Sequence, residues 1–399
     1  MISAKCKIRN AGVFASVASL LMITGVAMAQ IDPVLEKISF SQITGWGDVD
    51  KTKSLMAFVR SCDQMKKDSR AFSKNPKFGG TYNDWRKVCA LSEGLGKKPA
   101  PAKITQFFQK NFTPLRVNDP KRKEGLFTGY FEPIVKGSLS RSPEYQVPVY
   151  SRPDDLVVFS KTQEQQSGLR YGRLVKGKPT AYFTRQEIEQ GLFKGKNLEL
   201  VWLKSLADAF FMQVQGSGQV KLPDGSVIRL AYAGKTGLPY TAIGAVLIED
   251  GELEKAAVSM QSIRKWISHN PSKAQSLMWK NKSFVFFRQL PETDPSLGPV
   301  GAQLVNLTPK TSLAIDRRYW SLGTPIWLDT KILLDKTNTL QTWRSLLVAQ
   351  DTGSAIRGYA RGDVFWGSGE KAAIIAGQMK AAGQMIVLLP NALAKKLIK

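Results

Sequence analysis

The chain has 399 residues, with 57 lysines and arginines against 32 aspartates and glutamates, a net charge of +25 and a single histidine. One histidine excludes a multi-histidine metal site and would force any Ser/His/Asp triad onto His269, at the end of a helix-like segment before Asn270-Pro271. Any chemistry must therefore come from carboxylates, with no metal or cofactor expected, and the positive balance favours polyanionic partners.

The N-terminus carries Lys5, Lys7 and Arg9 with no acid, then an apolar stretch from Ala11 to Val26 and the small-x-small sequence Ala27-Met28-Ala29. That order predicts a secretory signal peptide over residues 1–29, cleaved after Ala29. Cys6 precedes the apolar stretch, so it is not a lipid-attachment cysteine, and a soluble periplasmic product is expected. Removing the three leader cations lowers the net charge to +22. In an exported chain this balance points to cell-wall carboxylates. Without basic runs interleaved with aromatics, or any nucleic-acid module, nucleic acid is not expected as a partner.

Export also makes Cys62 and Cys89 a disulfide candidate, with a pair of buried free thiols as the alternative. Leu55, Phe58, Val59, Cys62 and Met65 recur at helical spacing, and a second short helix with Trp85, Val88 and Cys89 is capped by Asn83 or Asp84 and ends at Gly94. From about Leu126 the texture turns to short β-prone runs: Tyr145 to Tyr150, Leu198 to Leu203, Phe210 to Gln215, and a hairpin around Pro223-Asp224-Gly225. Helical spacing returns from Thr241 to Asn281, with a break at Pro271. The last hundred residues predict strands at Ser312 to Ile315, Pro325 to Leu328 and Leu346 to Ala349, a helix from about Glu370 to Ala382, and a buried strand from Met385 to Leu389. This order suggests two β-rich domains with flanking helices rather than one parallel sheet.

Gly234-Lys235-Thr236 lacks the upstream glycine of a phosphate loop, and Gly216-Ser217-Gly218 lacks the spacing of a dinucleotide fingerprint or a nucleophile elbow. Arg361-Gly362-Asp363 is too short to carry an adhesion meaning. The informative constellation is Asp316, Asp351 and Asp363, each delivered by a strand-like run or placed beside glycines. Taken alone, these three suit ordinary turn and cap duties.

The same segments, together with Gly129-Tyr130-Phe131-Glu132-Pro133, Phe211-Met212-Gln213-Val214-Gln215-Gly216-Ser217-Gly218 and Tyr232-Ala233-Gly234, resemble MltA lytic transglycosylases and their C-terminal "3D" module of three aspartates. The resemblance runs from about Ser61 to Pro390. It implies a mainly β fold with flanking helices, in which a double-psi β-barrel receives a second, inserted β-barrel. The expected division is 30–125 for the helical part of the barrel domain, 126–240 for the insert, and 241–399 for the remaining helices and the double-psi barrel. It also implies cleavage of peptidoglycan between N-acetylmuramic acid and N-acetylglucosamine with formation of 1,6-anhydro ends, Asp363 acting as the catalytic acid and base and Asp351 and Asp316 supporting it. Tyr130, Glu132, Gln213, Gln215, Ser217 and Tyr240 are candidate sugar contacts, with a structural role as the alternative for each. The expected partner is the glycan strand, acted on by a monomer with cell-wall enzyme complexes as further partners. Two other readings are a hydrolase using two aspartates and a wall-binding protein without activity.

Overall fold

The computed structural model describes residues 34–119, 122–291, 297–334 and 339–398. The leader expected over 1–29 lies outside them. No helix among the described residues is long and apolar enough to cross a membrane.

Three helices, Thr52–Lys67, Tyr82–Glu93 and Pro101–Asn111, open the described chain after a short strand, Val34–Lys37. Leu55, Phe58, Cys62 and Met65 lie on one buried face of the first helix, as their three- and four-residue spacing requires. The second helix is capped by Thr81, not by Asn83 or Asp84. Asp84 is instead the reciprocal partner three residues on, its Oδ2 accepting from the Thr81 backbone N–H at 2.9 Å. A disulfide joins Cys62 to Cys89, with Cα atoms 5.3 Å apart. These helices pack with Trp85, Trp320 and Trp327, all fully buried, into the main core.

That core lies against an eight-stranded sheet whose last strand, Lys380–Pro390, is shared three ways. Its first residues pair with Gly125–Glu132, its middle with Pro325–Leu333, and its end with Phe112–Asn118. From Pro325–Leu333 the pairing continues to Leu340–Asp351, Ser312–Ile315, Arg361–Ser368 and back to Gly125–Glu132, so six strands close a ring. The helix expected to reach Ala382 stops at Gln378. Lys380 to Gly383 are drawn into this pairing, and tertiary hydrogen bonding overrides local helix preference.

A six-stranded sheet built from residues between 134 and 289 forms the second β region, with a small three-stranded sheet beside it. The predicted hairpin is present, Ser217–Lys221 pairing antiparallel with Val227–Lys235 across a turn where Gly225 takes φ +87°. The run Phe210 to Gln215, expected as a strand, belongs to the helix Leu206–Gln215. Ser205 caps this helix by accepting from the Asp208 N–H, and Gly216 ends it in the left-handed region. The apolar run was read as a strand because a buried helix has no polar face to reveal its period. Helices Ile243–Glu249, Met260–His269 and Pro271–Trp279 follow, and the break expected at Pro271 is present, with Pro271 opening the third. His269 is exposed in the last turn of its helix.

Candidate active site

The site is a row across neighbouring strands. Ala314 in Ser312–Ile315 pairs with Asp351 on one side and with Asp363 on the other, and Asp363 pairs in turn with Thr128. Residues aligned across a sheet point to the same face. Two short side chains, Ala314 and Thr128, therefore separate or flank two carboxylates about 10 Å apart at the backbone, given the strand spacing.

Asp363 is half-buried and accepts a hydrogen bond at Oδ1 from the Thr128 hydroxyl at 2.5 Å. Thr128 is held in turn by Arg361, whose Nη2 donates to the threonine oxygen at 2.8 Å. Arg361 is buried and also donates to the Gly362 carbonyl. With Arg361 occupying its oxygen, the threonine directs its own proton at Asp363. Oδ1 is thus a committed acceptor, and a proton on Asp363 belongs on Oδ2. Burial pushes the Asp363 pKa above the usual aspartate value, Arg361 and Thr128 oppose this, and the charge of Asp351 adds to the rise.

Asp351 is fixed differently. Its Oδ1 accepts from the backbone N–H groups of Ala302 and Thr352, each at 2.9 Å, and its Oδ2 accepts from the Tyr130 hydroxyl at 2.9 Å. Burial raises its pKa too, against the pull of these three bonds. The Tyr130 ring packs 5.3 Å from that of Phe365, and burial together with the Asp351 charge drives its phenol well above the ordinary value.

Asp316, just past the end of Ser312–Ile315, is fully buried and paired. Arg318 donates to both of its oxygens, Nη2 to Oδ2 at 2.6 Å and Nε to Oδ1 at 3.0 Å, and the Gly358 N–H reaches Oδ2 at 2.9 Å. Burial alone would raise its pKa, but the bonds from Arg318 and Gly358 outweigh it and hold the carboxyl below the usual value. This carboxylate ties two loops together.

Three of the six candidate sugar contacts are turned inward. Glu132 is fully buried, 3.0 Å from Arg229 Nε, and accepts from Ser368 Oγ at 2.6 Å and Gln219 Nε2 at 2.7 Å. Its work is to lock the end of Gly125–Glu132 to the second sheet. Buried Gln213 accepts from Arg185 at 2.7 Å, and Ser217 is buried in the hairpin. Of the others, Gln215 is half-buried and accepts from the Phe131 N–H, Tyr130 is half-buried, and Tyr240 is 43% exposed. Burial of part of the ring nevertheless raises the Tyr240 phenol pKa.

Thr128 and Arg361 escaped the sequence reading. Thr128 adjoins the Gly129-Tyr130 segment and Arg361 lies in the dismissed Arg-Gly-Asp, but they come together across 233 residues of chain, which no local spacing reveals. Among the described residues no group of three histidines, cysteines or acids could hold a metal ion.

Fold and site define a class: a mainly β protein with flanking helices, carrying in a row across neighbouring strands two aspartates whose pKa values burial raises. Comparison places it further. Residues 126–288 match the family described as the MltA specific insert domain, and residues 311–389 match the 3D domain. The membrane-bound lytic murein transglycosylase A of Vibrio cholerae is 30% identical over 93% of this chain and 92% of its own length. Its Escherichia coli K12 counterpart is 36% identical over 66% of this chain, and the match spans 65% of that relative's length. The crystal structure of a membrane-bound lytic murein transglycosylase from Agrobacterium tumefaciens superposes with a TM-score of 0.81 at 30% identity, covering 91% of this chain and 99% of that one. E. coli MltA with bound chitohexaose gives 0.65 at 27% identity, over 90% and 95%. The chain belongs to the MltA family of lytic murein transglycosylases.

Proposed function

We propose that this protein is a peptidoglycan lytic transglycosylase that cleaves the β-1,4 bond between N-acetylmuramic acid and N-acetylglucosamine, with Asp363 as its single acid and base. The observation that carries this reading is the unequal use of the two carboxylates in the row. Asp351 has both oxygens engaged by three donors, whereas the hydrogen bonding of Asp363 among the described residues leaves Oδ2 open. A hydrolase of the usual kind needs two working carboxylates; this row offers one.

In the first step Asp363 Oδ2 gives its proton to the bridging oxygen, and the bond from that oxygen to C1 of N-acetylmuramic acid breaks. The resulting carboxylate then takes the proton of the C6 hydroxyl on the same sugar. The C6 oxygen bonds to C1 and closes a 1,6-anhydro ring, with no water consumed and the proton returned to Asp363. Burial and the Asp351 charge favour the protonated start, and Thr128 steadies the carboxylate once formed. Tyr130, Gln215 and Tyr240 remain the sugar contacts of this reading.

The closed ring of six strands supports a double-psi β-barrel as its finer description. In the second sheet a bridge from Ser151 to Phe287 links the edge strands, which supports an inserted barrel. The basic, apolar and small-residue order of 1–29 supports export to the periplasm. Digestion of purified sacculi by wild type and Asp363→Asn, followed by mass spectrometry, tests the chemistry. Anhydro ends released by wild type alone are expected; products carrying a water at C1 would replace the reading with hydrolysis.

A further inference from the structure

Outside the aspartate row, five cations from separate stretches of the chain come within range of one another's charge, with few acids among them. Arg357 lies in the loop that joins Asp351 to Asp363, with Nη1 3.9 Å from Asp316. Arg317 reaches back to the 70–73 turn, donating to the Arg70 carbonyl and to Ser73 Oγ at 3.0 Å, which brings Lys74 alongside. From the second β region come Lys235, at the end of Val227–Lys235, and Arg170, its guanidinium over the Tyr171 ring at 5.7 Å.

The two groups are close enough for the charges of one to act on the other. Beyond the effect of burial, the charges of Arg170, Arg317 and Arg357 weaken the hold of Lys74 on its proton, and those of Arg357 and Arg170 do the same at Lys235. Two acids face the cluster. Glu164 stands 3.8 Å from Arg170, and Asp316 is already committed to Arg318 and Gly358. Arg317 Nε is buried without a partner among the described residues. Assembling like charges costs free energy unless an anion joins them.

We propose that Lys74, Arg170, Arg317, Lys235 and Arg357 form a subsite for the carboxylates of the peptide stems carried by the glycan strand. This rests on the peptidoglycan reading above and deepens it. In a glycan whose sugar rings are neutral, charge resides on the stem, and a stem carries several carboxylates spaced along a short flexible chain. Such a ligand suits a spread of point charges contributed by separate stretches of the chain. A single bidentate pocket would suit it less.

The test pairs charge removal on both partners. Glycan strands with native stems are compared with strands whose stem carboxylates have been converted chemically to amides, using wild type and a Lys74→Gln/Arg170→Gln/Lys235→Gln variant. Binding is measured on the Asp363→Asn background, so that it does not depend on turnover. Each exposed pair is worth up to about five-fold in affinity, so wild type should bind native strands roughly three- to ten-fold more tightly than amidated ones. The triple variant should bind the two alike, and its affinity for amidated strands should match that of wild type. Equal binding of both strands by wild type overturns the proposal, as does a variant that still discriminates. A cation cluster serving a phosphate-rich polymer would give the first of these results. Charge-dependent binding without anhydro products in the turnover assay would leave the subsite standing and remove the transglycosylase reading.

Discussion

Asp316 follows the end of one strand and Asp363 sits on its neighbour, yet the protein treats them in opposite ways. The first is fully buried and saturated by Arg318 and the Gly358 N–H, and its pKa is lowered. The second is half-buried with one hydrogen bond, and its pKa is raised. One carboxylate stabilises the fold in its charged form, whereas the other is charged against the preference of its surroundings. Proximity in a three-aspartate motif therefore says little about role, which is set by how many donors the backbone and the arginines bring to each carboxylate.

The comparison breaks most sharply at Asp363→Asn. Removing the proton carrier should cost anhydro-muropeptide release at least the 10²–10⁴-fold that acid–base catalysis typically contributes. The variant should unfold at the same temperature as wild type or higher at neutral pH, because a raised pKa means that the folded state bears the carboxylate at a cost which Asn removes. A folded variant with near wild-type release would move the role to Asp351.

Asp316→Ala should do the converse, lowering stability by about 2 kcal/mol through loss of the hydrogen bonds that Arg318 and Gly358 give to a buried carboxylate while each folded molecule keeps much of its activity. Because the Asp316 pKa is lowered in the fold, its stabilisation is present above the unfolded aspartate value near 3.9 and fades as pH falls through the lower folded value. Urea titrations of wild type and variant should therefore converge in strong acid. Curves that stay parallel there would show that the ion pair is not the source.

Reducing the Cys62–Cys89 bond closes off a third, comparable effect. The residues are 27 apart, and a loop of that size is worth roughly 3 kcal/mol in the chain-entropy model. Non-reducing peptide mapping should recover the linked pair, and reductant should lower the unfolding midpoint without moving the pH profile of activity.

The smallest effects sharpen the comparison. Thr128→Val removes a bond that favours the carboxylate, so the alkaline limb of kcat/KM should move to higher pH with a several-fold loss in kcat. Asp351→Asn removes a charge that disfavours it, and the limb should move to lower pH. Thr128→Ser should restore the wild-type profile. Shifts of the same sign in Thr128→Val and Asp351→Asn would refute the roles given to these groups.

Much of this was legible in the chain. The strand Ser312–Ile315, the hairpin at Pro223-Asp224-Gly225 and the apolar face of Thr52–Lys67 announce themselves through period and turn chemistry, whereas the three aspartates stand out as a site only through the family resemblance. What stayed hidden depends on long-range pairing. Glu132 lies in a segment that marks the family, yet its carboxylate faces Arg229 inside the protein, a partner 97 residues away. The strand Lys380–Pro390 begins inside what reads as a helix, and Phe210 to Gln215 is a helix that reads as a strand. In each case the deciding interaction lies outside the window in which a pattern can be seen.

The triple pairing of Lys380–Pro390 also bears on how the chain folds. The strand that completes the ring is synthesised after the other five, and one of its partners, Gly125–Glu132, precedes it by about 250 residues, a separation that makes for slow folding. Until that strand arrives, Gly125–Glu132 has an open edge and Thr128 is not held on both sides, so the aspartate row cannot assume its working arrangement. A chain in which Lys380–Pro390 has not yet docked therefore lacks the assembled row.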